Sequence, residues 1–291
     1  MILEIFEIIA PVFLCAGVGY LWRKSKQPYD TALVTRLVSI IGAPCLIFST
    51  LVGLEGMAGE IGEMLIASLL AVSGAAVVSF LALRGLGLPW RTYLAALIFP
   101  NAGNMGLPLC LFAFGEQGLA LGIGFFAVTA TLNLTLGNWF YSGAPMPWKA
   151  LKTPIPYAVG LGLVLMATGA TPPDVIVKTT KLLGGVAIPL MMLSLGVSLA
   201  ELGITQPKRT VMLALLRFGV GLGVGYLIAL AFGFEGAQRG VVMIQSAMPV
   251  AVFNYLFAAY HKRNAAEIAS LVVVSSALAF LTMPLLVYLA R

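Results

Sequence analysis

The sequence predicts an all-α polytopic membrane protein, with ten transmembrane helices forming two inverted repeats of five. Three observations predict it: the composition, the spacing of apolar runs, and an internal repeat. Of 291 residues, 60% are hydrophobic and 10% charged, where a soluble domain carries roughly a quarter charged. Apolar runs of about 20 residues, enough to cross a hydrocarbon layer roughly 30 Å thick, recur along the whole chain. Almost no polar sequence separates them, so catalysis on a separate aqueous domain is not expected.

Charge and Gly/Pro punctuation divide the runs into spans at 2–22, 31–53, 61–83, 92–115, 117–141, 154–171, 175–200, 210–232, 237–260 and 265–290. The first span has no basic stretch before it and no clear cleavage site after it, so it reads as a retained helix and not a signal peptide. With the first loop placed in the cytoplasm, Arg23, Lys24, Lys26, Arg84, Arg91, Lys149, Lys152, Lys208, Arg209, Lys262 and Arg263 fall inside. Lys178, Arg239 and Arg291 fall outside. This Lys/Arg asymmetry sets the expected orientation, with both termini extracytoplasmic in a bacterial inner membrane. It also accounts for the net charge of +6 without a nucleic-acid partner, since the basic residues sit in separate short loops.

An ungapped shift of 145 residues superimposes Pro11 on Pro156, Gly17 on Gly162, Thr35 on Thr180, Pro44 on Pro189, Ser49 on Ser194 and Gly74 on Gly219. It also superimposes Leu111-Phe112-Ala113 on Leu256-Phe257-Ala258. Residues 1–141 thus form a first half, 142–153 a cytoplasmic linker with Pro145 and Pro147, and 154–291 a second half. Five spans per half is an odd number, so the second half enters the membrane in the opposite sense. Inverted repeats are characteristic of secondary transporters, which place substrate at the repeat interface near the midplane.

Span 4 contains Pro100-Asn101-Ala102-Gly103-Asn104-Met105-Gly106-Leu107-Pro108, too rich in helix breakers for a continuous helix. Backbone groups freed there require a protected polar setting, and Pro108 suits the first turn of a restarted helix. Span 9 carries the counterpart, Gln245-Ser246-Ala247-Met248-Pro249 followed by Asn254. A helix restarting in mid-membrane presents free N–H groups and the positive end of its dipole. Two such ends favour an anion, and Asn101, Asn104, Gln245, Ser246 and Asn254 are neutral groups suited to orienting a carboxylate. The plainer alternative is that the prolines only kink packed helices.

Cys15, Cys45 and Cys110 lie in apolar runs without metal-ligand spacing and read as small core residues. No metal or other cofactor is expected. Membrane enzymes acting on lipids need carboxylate clusters or a catalytic dyad, and no HExxH, GxSxG or Walker motif is present.

The stretches PNAGNMGLPL at 100–109, AIPLMMLSLG at 187–196 and MPVAVFNYLFAAYH at 248–261 resemble the auxin efflux carrier family. That family includes the plant PIN-formed auxin exporters and bacterial carriers of malate, malonate and similar acids. The resemblance implies a crossover fold in which interrupted helices 4 and 9 cross at their breaks, as in bile-acid symporters. It implies a scaffold of helices 1, 2, 6 and 7, a transport domain of helices 3–5 and 8–10 moving as an elevator, and a homodimer formed through the scaffold. Substrate contact is expected at Asn101, Gly103, Asn104, Gly106, Pro108, Gln245, Ser246, Pro249 and Asn254. The long central loop of the plant members is replaced by about a dozen residues.

Secondary candidates are Ser49 and Ser194, matched across the repeat, Asn133 in span 5, and Arg217 in span 8. Arg217 either binds the anion or, as the somewhat favoured reading, snorkels to the headgroups. With no Asp or Glu in mid-span, a carboxylate proton relay is not expected. Coupling to Na⁺, coupling to H⁺ on the substrate, and uniport remain open, as does a transporter-like ligand sensor.

Overall fold

The computed structural model describes residues 2–54, 56–142 and 153–290. Most of the expected linker lies outside the described residues, with Glu55, Lys149, Lys152 and Arg291. Every regular element described is helical. The first group comprises α1 (Ile2–Lys24), α2 (Thr31–Leu37), α3 (Ala43–Val52), α4 (Ala58–Gly85), α5 (Trp90–Ile98), α6 (Leu107–Leu132) and α7 (Asn138–Ser142). The second comprises α8 (Pro154–Thr168), α9 (Asp174–Gly185), α10 (Ala187–Glu201), α11 (Pro207–Phe232), α12 (Gly236–Ala247), α13 (Val252–Tyr260) and α14 (Ala265–Ala290).

Among the described residues, seven helical segments are long and apolar enough to cross a membrane, and Pro154–Thr168 is a shorter apolar one. Three of the seven are composite. A wide π-type turn, Val38–Gly42, joins α2 to α3; Val186 separates α9 from α10; and Ala102–Ser142 runs through α6 and α7. Within α6, Gly115 takes φ 64° and ψ −154°, a conformation open to glycine alone. The chain folds back there, because a side chain at Gly122 would touch both Leu107 and Cys110. Fifteen residues of straight helix would hold Gly122 and Leu107 about 22 Å apart. The interruptions shorten α5, α12 and α13 to 9, 12 and 9 residues.

The surface is apolar as well as the interior. Leu3, Leu161, Leu182, Leu227 and Leu281 are exposed, whereas Asn101, Asn133, Arg217, Gln245 and Asn254 are buried. Hydrocarbon solvates the former, and the latter must find partners inside. Small residues set the closest helix approaches. On α1 and α10, side chains at Gly19 and Gly196 would run into the backbones of Leu193 and Ala16. In the same way Gly162 admits Leu51 of α3 and Gly184 admits its backbone at Leu46. α1 packs on α10, α3 packs on α8 and α9, and α4, α6, α11, α12 and α14 pack on one another, while α1 also touches α6 and α14, and α3 and α8 also touch α6. At one end of the bundle, Tyr93 of α5 donates to Glu267 of α14, and Arg209 of α11 reaches both, at 3.2 Å each.

Candidate functional site

The breaks between α5 and α6 and between α12 and α13 lie against each other as a short antiparallel bridge centred on Pro100 and Val250. The Asn101 N–H donates to the Pro249 carbonyl at 2.7 Å, and the Ala251 N–H donates to the Phe99 carbonyl at 3.2 Å. Pro100 and Pro249 have no N–H to satisfy. The Val250 N–H donates to Ser275 Oγ of α14 at 3.1 Å. Each break thereby satisfies the polar backbone that the other frees, which is what permits irregular chain in so apolar an interior. The 145-residue shift carries 99–101 onto 244–246, whereas the second break lies at 248–251. Most of the difference comes from α12, which has 12 residues where α5 has 9.

After the first break the chain restarts as a π-type turn, Ala102–Gly106, with the Asn101 carbonyl accepting from the N–H groups of Met105 and Gly106, and continues into α6. The second restarts at Val252. Ala102, Gly103 and Asn104 from one start, and Val252 and Phe253 from the other, line a single cavity of about 920 Å³, its mouth to solvent included. The opposite wall comes from Thr31, Thr35, Val38 and Ser39 of the α2 segment and from Met191, Ser194 and Ser198 of α10. No Asp, Glu, Lys, Arg or His lines it. The first N–H groups of both helices lack intrahelical partners, and each start carries roughly half a positive charge. Asn101 is 4% exposed and its Nδ2 has no partner; Asn133 is 5% exposed and its Oδ1 has none. Apolar side chains, among them Phe126, Phe253, Leu256 and Ile155, complete the wall.

The structure thus brings Asn101, Gly103, Asn104, Asn133 and Ser194 to one cavity. Gly106, Pro108, Gln245, Ser246, Pro249, Asn254 and Ser49 do not line it. Gln245 is buried behind the breaks, packed against Gly106 and Gly122, with Nε2 donating to the Gly122 carbonyl at 3.4 Å. Asn254 Nδ2 turns back to the Ala251 carbonyl at 3.3 Å, and Ser49 Oγ to the Leu46 carbonyl at 3.2 Å. Pro249 contributes its carbonyl to the bridge. Arg217 does not snorkel: it is 2% exposed, and its Nη2 donates to the Ser246 carbonyl at 2.9 Å. Close packing of α11 on α12 at Gly221 and Gly225 holds it there.

Of the hydroxyl wall, the sequence pointed to Ser194 alone; Thr31, Thr35, Ser39 and Ser198 were missed. Thr31, Thr35 and Ser39 recur at four-residue spacing, as do Ser194 and Ser198, and both sets therefore form stripes on one helix face. Ser194 is itself held by Tyr29, whose hydroxyl lies 2.6 Å from its Oγ. Burial pushes the Tyr29 phenol up, with the Ser194 bond opposing, so the hydroxyl stays protonated.

The family described as membrane transport protein matches residues 4–147 and 142–287. An uncharacterised transporter of Methanothermobacter thermautotrophicus is 26% identical over 302 residues, covering 96% of both chains. A second, from Methanocaldococcus jannaschii, is 27% identical over 202 residues, covering 64% of this chain and 63% of the relative.

Proposed function

The chain belongs to the membrane transport protein family, the auxin efflux carrier family that its motifs resemble, and from that premise we propose that it is a secondary carrier of small organic anions. The observation that carries this reading is the convergence of two helix starts on one cavity without charged side chains. Two half-charges sum to about one positive unit, which matches one carboxylate. Fixed dipoles stabilise such a group without the deep trap that a buried cation would make. The unpartnered Asn101 amide and the hydroxyls of Thr31, Thr35 and Ser39 supply further neutral contacts. Phe126, Phe253 and Leu256 suit an apolar body, so a monocarboxylate fits better than malate or malonate, whose second carboxylate would lack compensation.

In this reading the chain crosses the membrane ten times: α1, α2 with α3, α4, α5 through the turn at Gly115, the remainder of α6 with α7, α8, α9 with α10, α11, α12 with α13, and α14. Five crossings form each inverted half. α1–α3 and α8–α10 act as the scaffold and α4–α7 with α11–α14 as the transport domain, and residues of both line the cavity. An elevator displacement of the transport domain past the hydroxyl wall of the scaffold gives alternating access. The cell inner membrane, with both termini outside, is the location expected from the basic loops.

Purified protein in liposomes on a sensor surface tests the assignment. A saturable current is expected with monocarboxylates such as pyruvate or indole-3-acetate, smaller currents with malonate, malate and oxalate, and no dependence on Na⁺. Absence of current with every acid, alongside tight binding of one, would replace the carrier by an exchanger or a ligand sensor. A current that requires Na⁺ would make it a symporter of the bile-acid type.

A further inference from the structure

Arg217 is a buried charge that the cavity above does not use. Arginine stays protonated in any protein interior, so its charge must be met where it lies. One hydrogen bond is made, to the Ser246 carbonyl at the end of α12, and that end supplies only about half a negative charge. Nε has no partner, and neither has Oγ of Ser246, which is 5% exposed. Both residues line a second, far smaller cavity between α4, α11 and α12, with room for roughly one water-sized occupant. No carboxylate lines it, and Ile98, Phe125 and Val224 make much of the wall. Pro100 lines this cavity and the large one, so it stands between them. Gly221 and Gly225 shape the space: a side chain at Gly221 would come within 2.8 Å of Arg217 Nη1, and one at Gly225 within 3.1 Å of Ser246 Oγ.

A buried guanidinium with a neutral partner on one side and orphaned donors on another calls for a counter-anion. We propose that this cavity binds a monatomic inorganic anion of the chloride class between Arg217 Nε and Ser246 Oγ. The ion completes the charge balance that α12 begins. It fixes the end of α12, and with it the position of the break that faces the large cavity. The inference does not depend on the organic-anion reading, because the two cavities share no charged or hydroxyl-bearing residue.

Thermal unfolding of the detergent-purified protein tests it, with chloride, bromide, acetate or gluconate exchanged at constant ionic strength. Chloride and bromide are expected to raise the midpoint saturably, by about 3 °C at roughly ten times the dissociation constant. Acetate and gluconate should not. Ser246→Ala, which keeps the backbone carbonyl that Arg217 uses, should weaken the halide response at least several-fold, and Arg217→Gln should abolish it. Crystals grown in bromide should show an anomalous peak beside Nε of the wild-type residue. Equal midpoints in chloride and gluconate, an equal response to acetate, or a halide response unchanged in Ser246→Ala would each overturn the proposal.

Discussion

Gly106 and Gly62 show how much the effect of one methyl group depends on its surroundings. A side chain at Gly106 would meet the Gln245 carboxamide, with Cδ at 2.8 Å and Nε2 at 3.1 Å. Gln245 is fully buried and hemmed from the other side by Gly122, so it has nowhere to swing. Gly106→Ala should therefore lower stability by about 1–3 kcal/mol and move the two breaks relative to each other. Nothing lies within 4 Å of a side chain at Gly62 in α4, where alanine should instead add about 0.5–1 kcal/mol. Melting curves of the two variants should thus shift in opposite directions. Of the individual residues, Asn101 and Asn104 were legible in the sequence because amides beside Pro and Gly have few uses in a membrane helix. Thr31, Thr35 and Ser39 were not, since a helix hydroxyl more often bonds its own backbone, as Thr129 does to the carbonyls of Phe125 and Phe126. The fate of Arg217 was undecidable from depth alone: the packing of α11 on α12 directs it inward.

At the scale of elements, the stability of the site rests on how the two breaks satisfy each other. The Val250 N–H depends on Ser275 Oγ. Ser275→Ala should leave that donor buried and unpaired, at a cost of about 1–3 kcal/mol. Hydrogen exchange should report it as faster opening around 249–251, with α1 and α10 unaffected. A second tie joins the ends of α7 and α13, where His261 Nε2 lies 2.7 Å from Asn138 Oδ1. Burial, and then the charge of Arg263, lower the His261 pKa from its usual value. The folded protein therefore binds fewer protons there than the unfolded chain. The resulting stability is present above about pH 6.5 and lost as pH falls through the lower folded value. His261→Gln should flatten the acid limb of the melting temperature against pH, leaving the alkaline side unchanged. The breaks and the fold-back at Gly115 were readable because Pro, Gly and amides interrupt apolar runs. The interruption between α9 and α10 was not read as one, although Pro189 and its repeat partner Pro44 each lie just inside a restarted helix. In so apolar a run, a proline in the first turn looks the same as one that kinks an unbroken helix.

For the whole molecule, membership of a membrane transport family and seven apolar, membrane-length segments among the described residues agree with the composition, while the identity of the solute depends on the cavity. The central claim is that the paired helix starts bind the carboxylate of the transported acid. Asn104 lies within the first turn of one of them and lines the cavity. The most direct measurement is the concentration dependence of the current that the best monocarboxylate evokes in wild-type and Asn104→Ala proteoliposomes matched for protein content and melting temperature. Loss of a hydrogen bond to a charged group, about 1.5–3 kcal/mol, predicts a half-saturating concentration raised roughly tenfold or more. An unchanged half-saturating concentration would contradict the account and place the carboxylate elsewhere.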